Sequence, residues 1–208
     1  MNHCLICMNA LDEGVTLKEY LFEEDIICGN CRHRFIKNDC IYTYGYLRVH
    51  AFYRYDDFLE SLLYQFKEGC DVALENVFLW KYRKKMVDIF RHRQCVIMPS
   101  SEDKLKSRGF HHLKKMLACC EVEVCDCFIK TKNYKQSLQR AQNREKIHSV
   151  IQRTSFPAKD FYLFDDVVTS GHTLLAAAAL LRKKDEIMEA YALSVHPRFV
   201  EMCDKQQL

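Results

Sequence analysis

Proline and glycine are scarce in this chain of 208 residues, with only three and six respectively. Without a Pro-, Gly- or Ser-rich stretch, no linker marks a cut into separate domains. Long apolar runs are also missing. Nothing approaches the roughly 18 consecutive apolar residues of a membrane helix. The chain opens Met1, Asn2, His3, Cys4 in place of a basic start and an apolar stretch. The expectation is therefore a cytoplasmic protein without membrane insertion, able to reach the inner face of the membrane only through partners. Charge of one sign is lacking as well, since the net value is +3. There is no internal repeat and no low-complexity tract, and 49% hydrophobic residues exclude a disordered chain.

The near-neutral balance is uneven. Residues 81 to 146 hold 17 Lys or Arg against 7 Asp or Glu. Such a segment suits phosphate ligands or nucleic acid, and equally a solvated face.

Cysteine is abundant, with twelve residues. In a reducing compartment metal binding or plain burial accounts for them better than disulfides. Cys4-x2-Cys7 and Cys28-x2-Cys31 enclose twenty residues, a spacing that reads as a tetrahedral zinc site of the ribbon type. Two residues between ligands let a tight knuckle aim both sulfurs at one ion, and two knuckles close the shell. Such an ion is structural, because a segment of about forty residues cannot bury enough apolar surface alone. The alternative is four stray thiols. His3, His33 and Cys40 lie nearby but lack the knuckle spacing. Cys119, Cys120, Cys125 and Cys127 read as small apolar side chains of a strand, or as a second metal set.

Composition shifts near Cys40, so residues 1–40 are expected to form the Cys4 zinc module and residues 41–208 a second domain. Residues 41 to 55 are aromatic and β-branched, as in a hairpin. Apolar positions recur at helical spacing over residues 56 to 67, and a second helical stretch is predicted over 71 to 91. Beyond it come apolar runs at 95 to 99, 122 to 129, 161 to 168 and 189 to 195. Between them lie predicted helices at 110 to 119, 138 to 150 and 173 to 184. Strands alternating with helices predict an α/β fold with a parallel sheet.

The most informative stretch is residues 161 to 173, in which a buried strand leads into Asp165 and Asp166. Val167, Val168, Thr169, Ser170, Gly171, His172 and Thr173 follow, then a helix. The first amides of such a helix have no internal partners and carry positive dipole character, so a phosphate can sit there. Gly171 lets backbone approach closely, Thr169, Ser170 and Thr173 add hydroxyls, and the two acids can accept from vicinal ribose hydroxyls. A helix entry with no ligand is the plainer alternative.

This stretch resembles the 5-phosphoribosyl-1-pyrophosphate signature of type I phosphoribosyltransferases: an apolar strand, two acids, two apolar residues, Thr, Thr or Ser, Gly, any residue, Thr. Four N-terminal cysteines, Lys67-x-Gly69, Pro99, Arg108-Gly109-Phe110, Gln136, Arg144 and the paired acids together resemble the ComF family of competence proteins over nearly the whole chain. The resemblance implies a zinc module followed by a type I phosphoribosyltransferase domain. Asp165 and Asp166 would hold the 2′ and 3′ hydroxyls, residues 169 to 173 the 5′-phosphate, and Pro99, Ser100 and Ser101 the pyrophosphate. Lys67, Arg108 and Arg144 are further charge candidates, and Mg²⁺ would accompany the pyrophosphate. The family usually carries Asn-Gln where this sequence has His111-His112, and Asn where it has Ile147.

Two functions follow as expectations. One is binding of phosphoribosyl pyrophosphate or a related ribose phosphate, together with handling of single-stranded DNA in natural transformation beside a helicase partner of the ComFA type. Tyr42, Tyr44, Tyr46, Phe52, Tyr53 and Tyr55, interleaved with Arg48 and Arg54, would suit stacking on single strands, or else form the core of a hairpin. The other is an active transferase moving phosphoribosyl to an amine or nucleobase, with His111, His112 and His172 as acid or base candidates. The catalytic residues and the acceptor are not assigned. Lys130, Lys132, Asn133, Tyr134 and Gln136 lie in a loop that reads either as a cover over the ligand or as a solvated surface.

Overall fold

A computed structural model describes residues 3–11, 25–130 and 151–206. Its centre is a six-stranded sheet in the order β1-β2-β8-β7-β3-β4. Strands β1 (Ile41–Tyr44) and β2 (Leu47–Arg54) form an antiparallel hairpin, and β1 is an edge. From β2 onward every pairing is parallel, through β8 (Met188–Val195), β7 (Phe161–Val168), β3 (Gln94–Ile97) and β4 (Val124–Cys125). The protein is thus mixed α/β with a mostly parallel central sheet. All four residues of β3 are buried, as expected of a strand covered on both faces.

Helix α1 (Gly29–His33) belongs to the cysteine lobe. Helix α2 (Asp57–Lys67) follows β2 and is capped by Asp56, whose carboxylate accepts from the Leu59 amide at 2.9 Å. Its Leu59, Leu62, Leu63 and Phe66 are buried, one stripe of an amphipathic helix.

The single helix predicted over 71 to 91 is in fact broken. A 3₁₀ turn, Val72–Leu74, and another, Trp80–Tyr82, precede helix α3 (Arg83–Phe90). The reason is burial: Val77, Phe78 and Leu79 are all inside, and three consecutive side chains cannot share one face of a helix that turns about 100° per residue.

Residues 110 to 119 also differ from the expectation. Helix α4 (Glu102–Arg108) comes first and ends at Gly109 in the left-handed region. Helix α5 (His112–Leu117) follows, then a 3₁₀ turn. The run at 122 to 129 is two strands: β4 joins the main sheet, while β5 (Phe128–Lys130) pairs antiparallel with β6 (Ile151–Arg153) in a separate ribbon. The helix expected at 138 to 150 lies outside the described residues.

Helix α6 (His172–Leu181) packs on β7, β2 and β6, with Leu174 through Ala178 all buried. Alanine there allows close approach to the sheet. Helix α7 (Pro197–Gln206) packs against β1. The cysteine lobe docks on β2 through Arg54 N to Ile36 O at 2.8 Å and Asn38 N to Phe52 O at 2.9 Å. Phe35 lies against Tyr53 and Phe58 there, at 5.0 and 5.1 Å between ring centres. Among the described residues no helix is long and apolar enough to cross a membrane.

Candidate functional site

Parallel strands place their carboxyl ends along one edge, where loops into helices gather and where ligands of α/β sheets bind. Here that edge collects residues 98 to 101 after β3 and 169 to 171 after β7. The acids sit within β7, since Val167 and Val168 still pair with Ser194 and Val195 of β8. Past the strand, Thr169 and His172 are exposed and Ser170 and Thr173 half-buried. Gly171, with φ of 68°, starts α6 without a side-chain cap. No group among the described residues accepts from the amides of Gly171, His172 or Thr173. These donors lie one turn beyond the two carboxyls in sequence, with the His172 residue exposed.

Gly171 has a reason beyond close approach of a ligand. A Cβ built there would lie 2.6 Å from Cε2 of Phe199, which is fully buried in α7. The positive φ and this contact each exclude a side chain.

Asp166 is the hub of the site. Its Oδ2 accepts from Lys67 Nζ at 2.5 Å and lies 3.3 Å from His112 Nε2, and the Ser100 hydroxyl is 3.1 Å from His112 Nδ1. Four separate elements therefore meet: the end of α2, the turn after β3, the start of α5, and β7. Burial alone would raise the Asp166 carboxyl, but Lys67 and then His112 outweigh it and hold it well below the usual range. Burial would likewise lower the Lys67 ammonium, and Asp166 raises it instead. Asp165 goes the other way. Burial and then the neighbouring Asp166 charge push it well above the usual range. Two adjacent carboxyls offer oxygen acceptors for the two hydroxyl donors of a vicinal diol.

The remaining charge candidates are placed differently. Arg108, 4% exposed, binds Glu68 Oε1 at 2.5 Å, and Lys104 reaches the same oxygen at 3.2 Å. The Arg108 hydrogen bond, ahead of burial, sets the balance that holds the Glu68 carboxyl low. Consecutive residues at the end of α2 thus lock two elements, Lys67 onto β7 and Glu68 onto α4. Pro99 is buried, and Ser101 is the N-cap of α4 without a side-chain bond. Arg144 and Gln136 lie outside the described residues. His172 contacts Ser170 at 3.0 Å between Nδ1 and Oγ. Of the aromatic residues at 42 to 55, Phe52 and Tyr53 are core, whereas Tyr46 donates to the Leu175 carbonyl at 3.1 Å.

Glu68 is the participant that sequence reasoning missed, and His112, expected only as an acid or base candidate, is a partner of Asp166. Adjacent histidines at 111 and 112, where the resembled family carries Asn-Gln, were the available signal. His111 stacks on His112 with ring centres 5.5 Å apart, and neither of its buried ring nitrogens has a hydrogen-bond partner among the described residues. Burial and then His112 lower it to about 4.

A divalent cation fits this acid pair poorly. The Lys67 ammonium already lies on Asp166 Oδ2 and would repel a second cation there, so no step is routed through Mg²⁺.

The cysteine lobe offers a better donor set. The Sγ atoms of Cys4, Cys7, Cys28 and Cys31 lie within 4.8 Å of one another, and no cysteine of the chain is in a disulfide. Metal–sulfur bonds of about 2.3 Å in a tetrahedron set sulfurs about 3.8 Å apart, and Cys7 and Cys28 stand at 3.6 Å. The first knuckle is tight: Met8 N bonds Cys4 O at 2.9 Å, and Ile6 N points at Cys4 Sγ at 3.4 Å. Cys28 is the N-cap of α1, which carries Cys31. Burial would raise the Cys4 thiol, but donors from Cys7, Cys28 and Ile6 bring it to about 7, while burial and the other thiols push Cys31 up. Four thiols this close cannot all ionise without a compensating cation, so the set could hold a metal such as zinc. Compared with known proteins, the sequence matches no family model and no curated protein.

Proposed function

We propose that this chain is a ribose-phosphate-binding protein of the ComF kind, with a type I phosphoribosyltransferase fold and a zinc ion in its four-cysteine lobe. The observation that carries the reading is the meeting of two adjacent carboxyls, Asp165 and Asp166 of β7, with three amides at the start of α6 that have no acceptor among the described residues. The 5-phosphate rests on the amides of Gly171, His172 and Thr173, where backbone donors and helix dipole favour an anion. The ribose diol lies over Asp165 and Asp166. Lys67 keeps Asp166 ionised, and His112, bridged to Ser100, fixes its orientation. The turn from Pro99 to Ser101, which follows β3 at the same sheet edge, is the proposed seat of a pyrophosphate on the ribose C1.

By resemblance, the ligand is phosphoribosyl pyrophosphate and the cellular role is single-stranded DNA handling beside a helicase partner. No residue of the described site is assigned to an acceptor base, so binding is favoured over transfer. Calorimetry with ribose 5-phosphate and phosphoribosyl pyrophosphate tests this. Binding is expected to weaken about tenfold or more in Asp166→Asn. Glucose 6-phosphate binding as well as ribose 5-phosphate, or Asp166→Asn binding like wild type, would contradict the diol assignment.

A further inference from the structure

A second concave site lies away from the strand edge and shares no lining residue with it. A cavity of about 270 Å³ opens where the cysteine lobe meets the sheet domain. Its apolar floor comes from Ile27 and Phe35 of the lobe, Tyr53 of β2, and Val77. Its other wall is Trp80, with the Arg83 guanidinium 4.1 Å from the ring centre and its Nη1 donating to the Trp80 carbonyl at 2.6 Å.

Among the described residues, charge at the mouth is one-sided. The single acid, Asp25, is consumed: one oxygen takes the Ile26 and Ile27 amides at 2.7 and 3.2 Å, and the other pairs with Arg32. Lys81 and Lys84 line the opening, both exposed, and neither has an ion pair among the described residues. A planar stacking surface beside apolar walls, rimmed by two exposed cations, fits a ligand that joins a flat aromatic ring to a phosphate. The volume is near the small end of ligand pockets, which run from about 300 Å³ upward, so one nucleotide unit is the largest occupant it suits.

We propose that this cavity is a nucleotide site, with the base against Trp80 and Arg83 and the phosphate on Lys81 and Lys84. It is independent of the ribose-phosphate reading. Helix α1, which carries Cys31, also supplies Arg32 to the wall, so the four-cysteine cluster and the cavity share a structural element.

The test uses the whole chain, whose one tryptophan is Trp80, so intrinsic fluorescence reports on this cavity. Adenosine 5′-monophosphate is expected to give a saturable change, about tenfold or more weaker when Lys81→Ala and Lys84→Ala are combined. The same titration is expected to be unaltered with excess ribose 5-phosphate present, because that sugar phosphate fills the strand-edge site and lacks the base. Saturation-transfer NMR on the adenine protons, also with excess ribose 5-phosphate present, detects a complex in the cavity that leaves fluorescence unchanged. Tighter binding of a short dA strand with steep salt dependence identifies strand-borne nucleotide as the source. Equal or tighter binding of the mononucleotide identifies free nucleotide, and either result supports the proposal. No saturable binding by both readouts at millimolar ligand overturns it. So does binding that survives the double lysine substitution, or inorganic phosphate matching the nucleotide.

Discussion

Replacing Lys67 by Met tests how the acid pair is held. The side chain is kept long and apolar, but the ammonium 2.5 Å from Asp166 Oδ2 is gone. Asp166, 10% exposed, then keeps His112 at 3.3 Å as its one remaining basic side-chain partner among the described residues. Breaking a fully buried pair costs about 3–5 kcal/mol. Lys67 is 23% exposed and His112 remains, so about 2–3 kcal/mol is expected here. In a chain of this size that lowers Tm by roughly 5–10 °C. Urea unfolding at pH 7 of wild type, Lys67→Met, Asp166→Asn and the double variant closes a cycle whose coupling should reach about 2 kcal/mol. The coupling is expected to persist at higher pH. It should fade as pH falls through the depressed Asp166 value, because the carboxylate contribution is present only above the unfolded value near 4. Single substitutions that add to within about 0.5 kcal/mol would refute the pairing as the force that holds α2 to β7.

Three further outcomes are expected. His111 is neutral when folded and titrates near 6.5 when unfolded, so wild type should lose about 2 kcal/mol as pH falls from 6.5 to 4. His111→Phe should flatten that slope in thermal melts, and an unchanged slope would rule out His111 as its source. Gly171→Ala meets both the positive φ and Phe199, and should cost about 2–4 kcal/mol, partly recovered in Gly171→Ala with Phe199→Leu. No recovery would leave backbone conformation as the sole reason for the glycine. Metal analysis should find about one zinc per chain, lost in Cys28→Ser together with amide-exchange protection of residues 25 to 35. A protected lobe without metal would contradict a folding role for the ion.

Much of the fold could be read directly from local pattern. Strands β7 and β8 are mostly apolar runs, α2 has a clear stripe and a capping Asp56, and the cysteine pairs announce themselves by spacing. What failed was decided by tertiary packing. Val77, Phe78 and Leu79 had to be buried together, which broke the predicted long helix, and residues 122 to 129 were divided between two sheets by partners far away in sequence. Helix α4, short and mostly polar outside Leu105, carries too little apolar signal to be seen. The site shows the same division. Asp165, Asp166 and the loop to Thr173 are contiguous and therefore visible. The Lys67–Asp166–His112–Ser100 array joins four segments, and Glu68 drew no notice because its partner Arg108 lies forty residues on. Nothing local distinguishes His112, a buried ligand of Asp166, from His172, an exposed neighbour of Ser170.

The most direct test of the ribose-phosphate reading is a crystal structure with ribose 5-phosphate bound. The phosphate oxygens are expected within hydrogen-bond distance, about 2.7–3.2 Å, of the amides of residues 171 to 173, with the 2′ and 3′ hydroxyls on Asp165 and Asp166. A ligand seated elsewhere, or a strand edge that stays empty while the ligand is saturating, would contradict the account.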